Sequence, residues 1–378
     1  MLDPVGGFQS KRDCPRKVGL LCLLFTIYAE VFGCSSSAPS LNMATQYASL
    51  QPSKSNRLKS IAIVGASGNV GSHIVSALLE RGECNITAIS RDDSKASFPK
   101  DVKVARVDYE KPDTLVAALK GHDALVITMS VFAAPGAQAK LIRAAAAAGV
   151  TWIMPNEFGM YNTDEAQNDT IGPGKAEDRA LIESLNLSWT GLTCGFWYEH
   201  SLCGPGLFGI NIAKREMEFF DEGMQEINTS TWPLVGRAVA EILSLPILPW
   251  DERDKSLTLW HYHNAMAYVS SFTISQRDMF ESVKHETNTT DDDWDVFSTP
   301  AQERYTKAKR ALKGGNRTAF AKVLYTRYFF PGEDAGLFEK GHGLDNELLG
   351  LPKQNLDAAT KEAIKLGESG YWSRFGQR

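Results

Sequence analysis

Cysteine is scarce in this 378-residue chain, and the six cysteines lack the spacing of a metal site or of a disulfide framework. They stand at positions 14, 22, 34, 84, 194 and 203, with no Cys-x-x-Cys pair among them. The sequence therefore indicates neither a structural zinc site nor a disulfide-stapled secreted domain, and we predict no metal site.

A surplus of charge of one sign is also missing. The chain has 40 basic and 45 acidic residues, which give a formal net charge of -5, and both kinds are mixed along its length. Because a nucleic-acid-binding protein generally carries a basic patch or stripe, we expect no nucleic-acid partner. A hydrophobic content of 43% lets the chain bury a large core in about two domains, which favours chemistry on a small molecule.

The first 57 residues differ in composition from the rest, and we interpret residues 1–57 as an N-terminal extension. A basic flank precedes an apolar run at 18–34, which is similar to a signal peptide or anchor but short for a membrane span and interrupted by Glu30. Because Met43 begins a Ser-rich leader, residues 1–42 could instead lie upstream of the functional start. We expect a cytoplasmic protein, with membrane anchoring or secretory entry through the apolar run as the alternative.

The most informative stretch is 61–71, where four apolar residues run into three glycines. The apolar run suits a strand buried on both faces, and helical spacing of apolar residues follows the last glycine. Gly65 would supply a tight turn, Gly68 would let the backbone approach a pyrophosphate, and Gly71 would let the helix pack closely on the sheet. The predicted cofactor-binding residues of this glycine loop are Gly65, Ala66, Ser67, Gly68, Asn69, Val70 and Gly71.

Strands and helices alternate after the glycine loop, which predicts a Rossmann-type, doubly wound parallel sheet of the α/β class with a smaller α+β C-terminal substrate domain. We predict an NAD(P)-binding domain over 58–194 and a substrate-binding or lid region over 195–378. The predicted strands are 85–90, 102–107, 124–128, 150–154, 187–193 and 267–274. The predicted helices are 112–120, 135–149, 232–245, 300–312 and 358–366, and a hairpin is predicted over 210–220 with a turn at 221–223.

The end of the second predicted strand decides the nucleotide. An acidic residue there would bind the ribose hydroxyls of NAD, whereas an arginine can pair with the 2′-phosphate of NADP. The first charged residue is Arg91, although Asp92 and Asp93 follow and would supply the acidic alternative if the strand ran longer. We predict NADP(H) as the cofactor, held by Arg91 and by Lys95 or Lys100. Thr128, at the end of another strand, completes the predicted cofactor site.

A family resemblance becomes visible further along the chain. Pro155-Asn156-Glu157-Phe158-Gly159, directly after a predicted strand, and the later Lys-Ala-Glu-Asp-Arg at 175–179 resemble the NmrA-like and isoflavone-reductase-like branch of the atypical short-chain dehydrogenases. Phenylcoumaran benzylic ether reductases and pinoresinol reductases belong to that branch, and the resemblance extends from the glycine loop to about residue 278. It implies an NADPH-dependent reductase of a conjugated or aromatic molecule in secondary metabolism, with one lysine near the nicotinamide. By position that lysine is Lys175.

By itself, a helix lysine among Glu177, Asp178 and Arg179 is more often part of a solvated face, and the family resemblance is what favours a catalytic role for Lys175. A lysine in the first turn of a helix opposes the helix dipole, so its placement suggests use. Its ammonium group would stabilise the negative charge that hydride transfer leaves on a conjugated oxygen, or would donate a proton. The Tyr-x-x-x-Lys pair of ordinary short-chain dehydrogenases occurs only as Tyr305 and Lys309, which we interpret as a coincidence because it comes so late in the chain.

Aromatic residues that follow strand ends are the candidates for substrate binding, because ligands of open α/β sheets bind outside the carboxyl ends of the strands. They are Phe132, Phe158, Phe196 and Trp197. An equally weighted alternative is that they form the core between the two domains. For the whole chain, the alternative function is a non-catalytic NAD(P)-sensing regulator that binds a protein partner, as the NmrA-like branch also contains such proteins. Lys175 favours the enzyme.

Overall fold

The computed structural model describes residues 47–130, 133–161, 164–172 and 174–375 of the chain. The predictions for Phe132 and for residues 1–46 therefore lie outside the described residues. The strands are β1 Ser60–Val64, β2 Asn85–Arg91, β3 Lys103–Val107, β4 Ala124–Ile127, β5 Trp152–Met154, β6 Ser188–Thr193, β7 Phe196–Trp197, β8 Ile210–Asn211, β9 Glu216–Phe220, β10 Ile227–Ser230, β11 Ala265–Tyr268, β12 Phe272–Ile274 and β13 Asp295–Thr299.

Helices connect most of these strands. They are α1 Asn69–Arg81, α2 Pro112–Leu119, α3 Ala137–Ala148, α4 Asp164–Asp169, α5 Gly174–Ser184, α6 Tyr198–Leu202, α7 Trp232–Leu243, α8 Gln276–Thr287, α9 Ala301–Lys313, α10 Ala319–Arg327, α11 Glu339–His342, α12 Leu356–Glu368 and α13 Tyr371–Phe375. Among the described residues, no helix combines the length and the apolar character that crossing a membrane requires.

A seven-stranded parallel sheet organises the fold, in the order β11-β6-β5-β4-β1-β2-β3. The chain moves from β1 through β2 to β3 in one direction and then returns to place β4 on the other side of β1. The order therefore reverses between β1 and β4, and such a switch point opens a crevice at the carboxyl ends of the strands. The predicted Rossmann-type doubly wound sheet is confirmed.

Strand β1 is buried on both faces, as its continuous apolar run predicts. Ile61 and Ile63 point into one apolar core, whereas Ala62 and Val64 point into another, and each is at most 4% exposed. Helices α1 and α7 contribute to the first core, and α2, α3 and α5 contribute to the second. Helices thus cover both faces of the sheet, so a ligand can approach it at the carboxyl edge.

Helix α7 packs closely against α1. A Cβ atom at Gly236 of α7 would lie 2.5 Å from the carbonyl of His73 in α1, so only glycine allows this approach. Together with β11, this helix brings residues from beyond position 195 into the layers around the central sheet. The division into 58–194 and 195–378 stays a prediction, and the sheet itself draws on both ranges.

The predicted strand over 267–274 is wrong as a single element. The chain forms β11 in the central sheet and then β12 in a small sheet of order β12-β10-β7. The change occurs because Val269 N–H donates to Thr193 O at 3.0 Å, whereas Ser271 N–H donates to Thr229 O at 3.0 Å. The segment thus changes partner strands within three residues, which a continuous apolar pattern does not show.

The predicted hairpin over 210–220 exists, but its turn lies earlier than 221–223. Strands β8 and β9 pair in antiparallel fashion, with Ile210 opposite Met217, so the reversal falls at 212–215. A turn does form at 221–223, where Gly223 N–H donates to Phe220 O at 3.0 Å, but the strand after it, β10, pairs with β12 and β7. The glycine at 223 therefore marks a connection between two sheets.

Candidate functional site

The glycine loop forms a tight turn that requires glycine at its first and last positions. Gly65 has φ of 75°, and a Cβ atom there would lie 1.9 Å from Thr128 O. At Gly71 a Cβ atom would lie 2.1 Å from Gly65 O. Gly68 N–H donates to Gly65 O at 2.8 Å and directly precedes α1, which starts without a side-chain cap. The free amides at the start of α1 are therefore available to an anionic group.

Thr128 closes the other side of this turn. Its backbone N–H and its hydroxyl both donate to Val64 O, at 3.0 and 2.8 Å. These bonds hold the carboxyl ends of β4 and β1 together beside the glycine loop. The placement agrees with a cofactor site at the switch point of the sheet, and a direct contact from Thr128 to the cofactor stays a prediction.

The side chain of Asn69 is held by the C-terminal helix. Asn69 Nδ2 donates to Tyr371 OH at 2.6 Å, and that hydroxyl lies 2.8 Å from His200 Nδ1. Burial lowers the pKa of His200 to about 4, so its ring is neutral at pH 7. Helix α13 thus closes over the start of α1, a contact between residues about 300 positions apart that local sequence patterns do not encode.

Arg91 ends β2, as predicted. Its side chain is 69% exposed, and its Nε lies 3.3 Å from a carboxylate oxygen of Asp93. Lys95 is exposed in the same turn. The last two residues of β2 are therefore Ser90 and Arg91. The acidic pair Asp92 and Asp93 lies in the turn after the strand.

Lys175 lies in the first turn of α5 and points back to the segment that follows β5. Its Nζ is 3.4 Å from Glu157 Oε2, and a Cβ atom at Gly159 would lie 4.0 Å from that Nζ. Glu157 is only 3% exposed, whereas the Lys175 side chain is 23% exposed. The ammonium group is thus anchored on one side by a buried carboxylate and reaches solvent on the other.

Glu157 also binds Arg179, one turn further along α5. One buried carboxylate therefore faces two cations where the segment after β5 meets α5. Glu157 and Arg179 are missing from the predicted site residues, although both occur within the two motifs that carry the family resemblance. Their place inside those two motifs was the signal that could have found them.

The predicted substrate residues lie in different surroundings. Phe158 is 7% exposed in the core around β1, and Phe196, also 7% exposed, stacks on Tyr325 at 4.1 Å between ring centroids. Trp197 is half-buried and meets the His200 ring edge to face at 5.8 Å. Phe158 and Phe196 thus lie in two different hydrophobic cores, while a substrate contact of any of the three stays a prediction.

Another aromatic group, which was not predicted, lies at the end of β11. Tyr161, Tyr268 and His342 meet with centroid distances of 4.4 to 6.0 Å, and the Tyr268 and His342 rings are parallel within 4°. Burial, with the nearby Tyr161 and Asp345, raises the pKa of Tyr268. Tyr268 ends β11 opposite Thr193, which bridges to Gly159. The sequence alone gave His342 no partner, because its neighbours come from distant segments.

The Tyr305 and Lys309 side chains do contact each other, with Lys309 Nζ 2.7 Å from Tyr305 OH. Both also bind Asp169 in α4, through its backbone carbonyl at 3.2 Å and its carboxylate at 3.1 Å. These contacts fasten α4 to α9, so a structural role accounts for the pair.

One group of potential metal ligands occurs within the described ranges. The ligand atoms of His285, Glu286 and Asp357 lie within 4.8 Å of one another. His285 is 70% exposed and already pairs with Asp357 at 3.0 Å, and exposed groups of this kind are common without an ion. We assign no metal to it.

Comparison with known proteins agrees with this geometry. Residues 65–203 match the model of a family described as NAD(P)H-binding. This range of the chain contains the glycines of the glycine loop, Arg91 and Lys175. The oxidoreductase aprR of Aspergillus flavus is 28% identical over 320 residues, covering 81% of this chain and 98% of that protein. These matches and the fold define an NAD(P)H-dependent oxidoreductase.

Solved structures refine this class at the level of the fold. A structure from work on pinoresinol-lariciresinol and phenylcoumaran benzylic ether reductases gives a TM-score of 0.64 at 18% identity. The match covers 81% of this chain and 99% of the chain in that structure. AtPrR2 with NADP+ and (+)pinoresinol gives a TM-score of 0.60 at 18% identity, covering 81% of this chain and 98% of that chain. The predicted resemblance to isoflavone-reductase-like proteins is thus confirmed in the fold.

Proposed function

We propose that this protein is an NADPH-dependent reductase of a conjugated or aromatic small molecule, with Lys175 next to the nicotinamide. The observation that carries the proposal is the position of the Lys175 ammonium, which is paired with buried Glu157 at the carboxyl edge of the sheet and partly open to solvent. A cation in that position can act on a ligand that lies along the same edge.

The choice of NADPH rests on the nucleotide end of the site. Strand β2 ends in Ser90 and Arg91 rather than in a carboxylate that would bind ribose hydroxyls. The solved neighbour AtPrR2 is described with NADP+, which supports the same cofactor here. The free amides at the start of α1 would hold its pyrophosphate.

The chemistry follows from what each group can do. Bound NADPH would supply a hydride, which is a proton with two electrons, to the electron-poor carbon of the substrate. The electron pair displaced from that carbon leaves negative charge on a conjugated oxygen. The Lys175 ammonium stabilises this charge and donates a proton to the oxygen, and solvent returns the proton through the exposed side of the lysine. Glu157 holds the lysine in position and is itself bound by Arg179.

The aromatic substrate class is supported by a group of rings at the end of β11. Tyr161, Tyr268 and His342 form one group at the ends of the strands that flank Gly159. A flat, conjugated ligand can lie against such rings with favourable contact energy. The similarity to a fungal oxidoreductase and to structures of lignan reductases supports a role in secondary metabolism.

The experiment measures NADPH binding by calorimetry and NADPH oxidation with a panel of aromatic ketones, enones and benzylic ethers. We expect Lys175→Ala to keep the dissociation constant for NADPH within about threefold and to lower kcat by about 100-fold or more, because one transition-state charge contact is lost. Lys361→Ala, at an exposed lysine of α12, is the matched control and should retain activity.

Two outcomes would contradict the proposal. Full activity of Lys175→Ala on a turned-over substrate would remove the lysine from the mechanism. Tight NADPH binding without oxidation by any member of the panel would favour the regulator, and a pull-down of protein partners would then decide that function.

A further inference from the structure

Arg106 in β3 lies across the carboxyl ends of two neighbouring strands. Ser90 of β2 stands opposite Arg106 in the parallel register. The Arg106 Nη1 group lies 3.2 Å from Ser90 Oγ, 3.0 Å from Arg91 O and 2.8 Å from Ser94 O. One guanidinium group therefore binds both the end of β2 and the turn after it. These hydrogen bonds fix the backbone at Arg91.

The same guanidinium has unused donors. Only Nη1 makes these three bonds, and within the described ranges Nε and Nη2 contact no acceptor. Arg106 is exposed, so these N–H groups are open to a ligand at the edge of the sheet. A guanidinium offers its donors in a planar fork, which matches the oxygens of a phosphate.

The charges around this turn leave room for an anion. Asp93 already pairs with Arg91 at 3.3 Å, which engages part of the positive charge of Arg91. Asp92 adds a second carboxylate to the same turn. A dianionic phosphate at this turn would face both acidic residues, so a cation in addition to Arg91 and the exposed Lys95 favours its binding.

We propose that Arg106 is a specificity-determining residue that binds the 2′-phosphate of the adenosine ribose together with Arg91. The inference rests on the proposed function, because it assumes that a dinucleotide lies along this edge. It adds a residue from the third strand to a site that sequence reasoning assigned to Arg91 and to Lys95 or Lys100.

The test compares the binding of NADPH and NADH by calorimetry in the wild type, Arg106→Ala and Arg106→Gln. The glutamine amide can still donate to the turn carbonyls, so this variant separates charge from the positioning of the turn. We expect both variants to raise the dissociation constant for NADPH by about tenfold or more, because a charge-assisted contact is lost. The dissociation constant for NADH should stay within about twofold of the wild type. Lys103→Ala, which removes an exposed cation at the other end of β3, is the matched control and should change neither.

Adenosine 2′,5′-bisphosphate and adenosine 5′-monophosphate serve as the minimal probes of the same contact. The variants should bind the bisphosphate more weakly than the wild type does and should bind the monophosphate as the wild type does. Equal loss of NADPH and NADH, or unchanged NADPH binding in Arg106→Ala and Arg106→Gln, would overturn the inference. A wild-type protein that binds neither coenzyme would instead overturn the proposed function, so the two failures are distinguishable.

Discussion

Two buried carboxylates have unusual surroundings. Glu157 is a buried carboxylate that faces two cations, and Glu199 is a buried carboxylate whose two oxygens both accept from Trp232 N–H at 3.2 Å. The first arrangement holds a lysine in place, and the second satisfies an amide at the start of α7. Burial of either carboxylate costs free energy unless such partners are present.

Glu199 gives the folded protein a pH dependence of defined sign. Burial raises its pKa from 4.5 to about 7, so between these values the folded state holds a proton that the unfolded state releases. Its contribution to the free energy of unfolding is complete below pH 4.5 and is lost as pH rises through 7. The difference corresponds to about 3 kcal/mol. His200 acts oppositely, because burial lowers its pKa from 6.5 to about 4 and its contribution is lost as pH falls through 4.

We therefore expect Glu199→Gln to change the pH profile rather than only the stability. In the variant the His200 effect is unopposed, so the free energy of unfolding should rise from pH 4.5 to 6.5 relative to the wild type. Urea unfolding at four pH values between 4.5 and 7.5 measures it. Glu347→Gln, at an exposed glutamate, should run parallel to the wild type. Parallel curves for Glu199→Gln would show that Glu199 titrates normally.

At the level of elements, the turn between β1 and α1 depends on backbone approach. Gly65 and Gly71 stand where a side chain would collide with the backbone, while the start of α1 stays open. The strand end, the turn and the helix thus act as one unit. Its geometry is needed for any anion at the helix start.

Gly71→Ala should disrupt this unit. The added Cβ atom would lie 2.1 Å from Gly65 O, so the backbone must move, and we expect NADPH affinity to fall by about tenfold or more, with a loss of stability of about 2 kcal/mol. Gly367→Ala in α12 is the control, because its Cβ atom would meet Cys203 at an ordinary 3.5 Å. That variant should gain about 0.5 to 1 kcal/mol from helix propensity. Calorimetry and urea unfolding measure both, and unchanged NADPH binding in Gly71→Ala would contradict the assigned turn.

In the molecule as a whole, a second core and a buried arginine join α4 to the C-terminal helices. The Arg327 side chain is 1% exposed, and its Nε lies 2.9 Å from Asp169 Oδ2 while its Nη1 lies 2.5 Å from Glu333 Oε2. Helix α4 lies between Glu157 and Lys175 in the chain, so this pairing fixes the connection between the two residues of the proposed catalytic pair.

Arg327→Met should destabilise the protein by about 3 kcal/mol, because it keeps most of the volume but removes the buried guanidinium that pairs with Asp169 and Glu333. Urea unfolding measures the loss. Hydrogen exchange should also rise in 164–169 more than in the central sheet. Lys322→Met, at an exposed lysine of the same helix, should stay within about 0.5 kcal/mol of the wild type. Equal stability of the two variants would show that Arg327 is dispensable.

The boundaries of the regular elements in the nucleotide half followed from local patterns. The continuous apolar run of β1, the glycine spacing and the proline at the start of α2 each act on neighbouring residues, so the sequence indicated them within about two positions. The 267–274 segment failed because its two halves choose different partner strands, and partner choice is a property of the whole sheet.

The amino-acid sequence by itself determined the parallel sheet, the glycine loop, the arginine at the end of β2 and the position of Lys175, because period, turn chemistry and motif spacing are local. Only the tertiary structure decided that Glu157 pairs with Lys175, that Tyr371 holds Asn69 and that Arg106 reaches the turn after β2. Those contacts join residues from separate segments, and their energy exists only once the chain has packed.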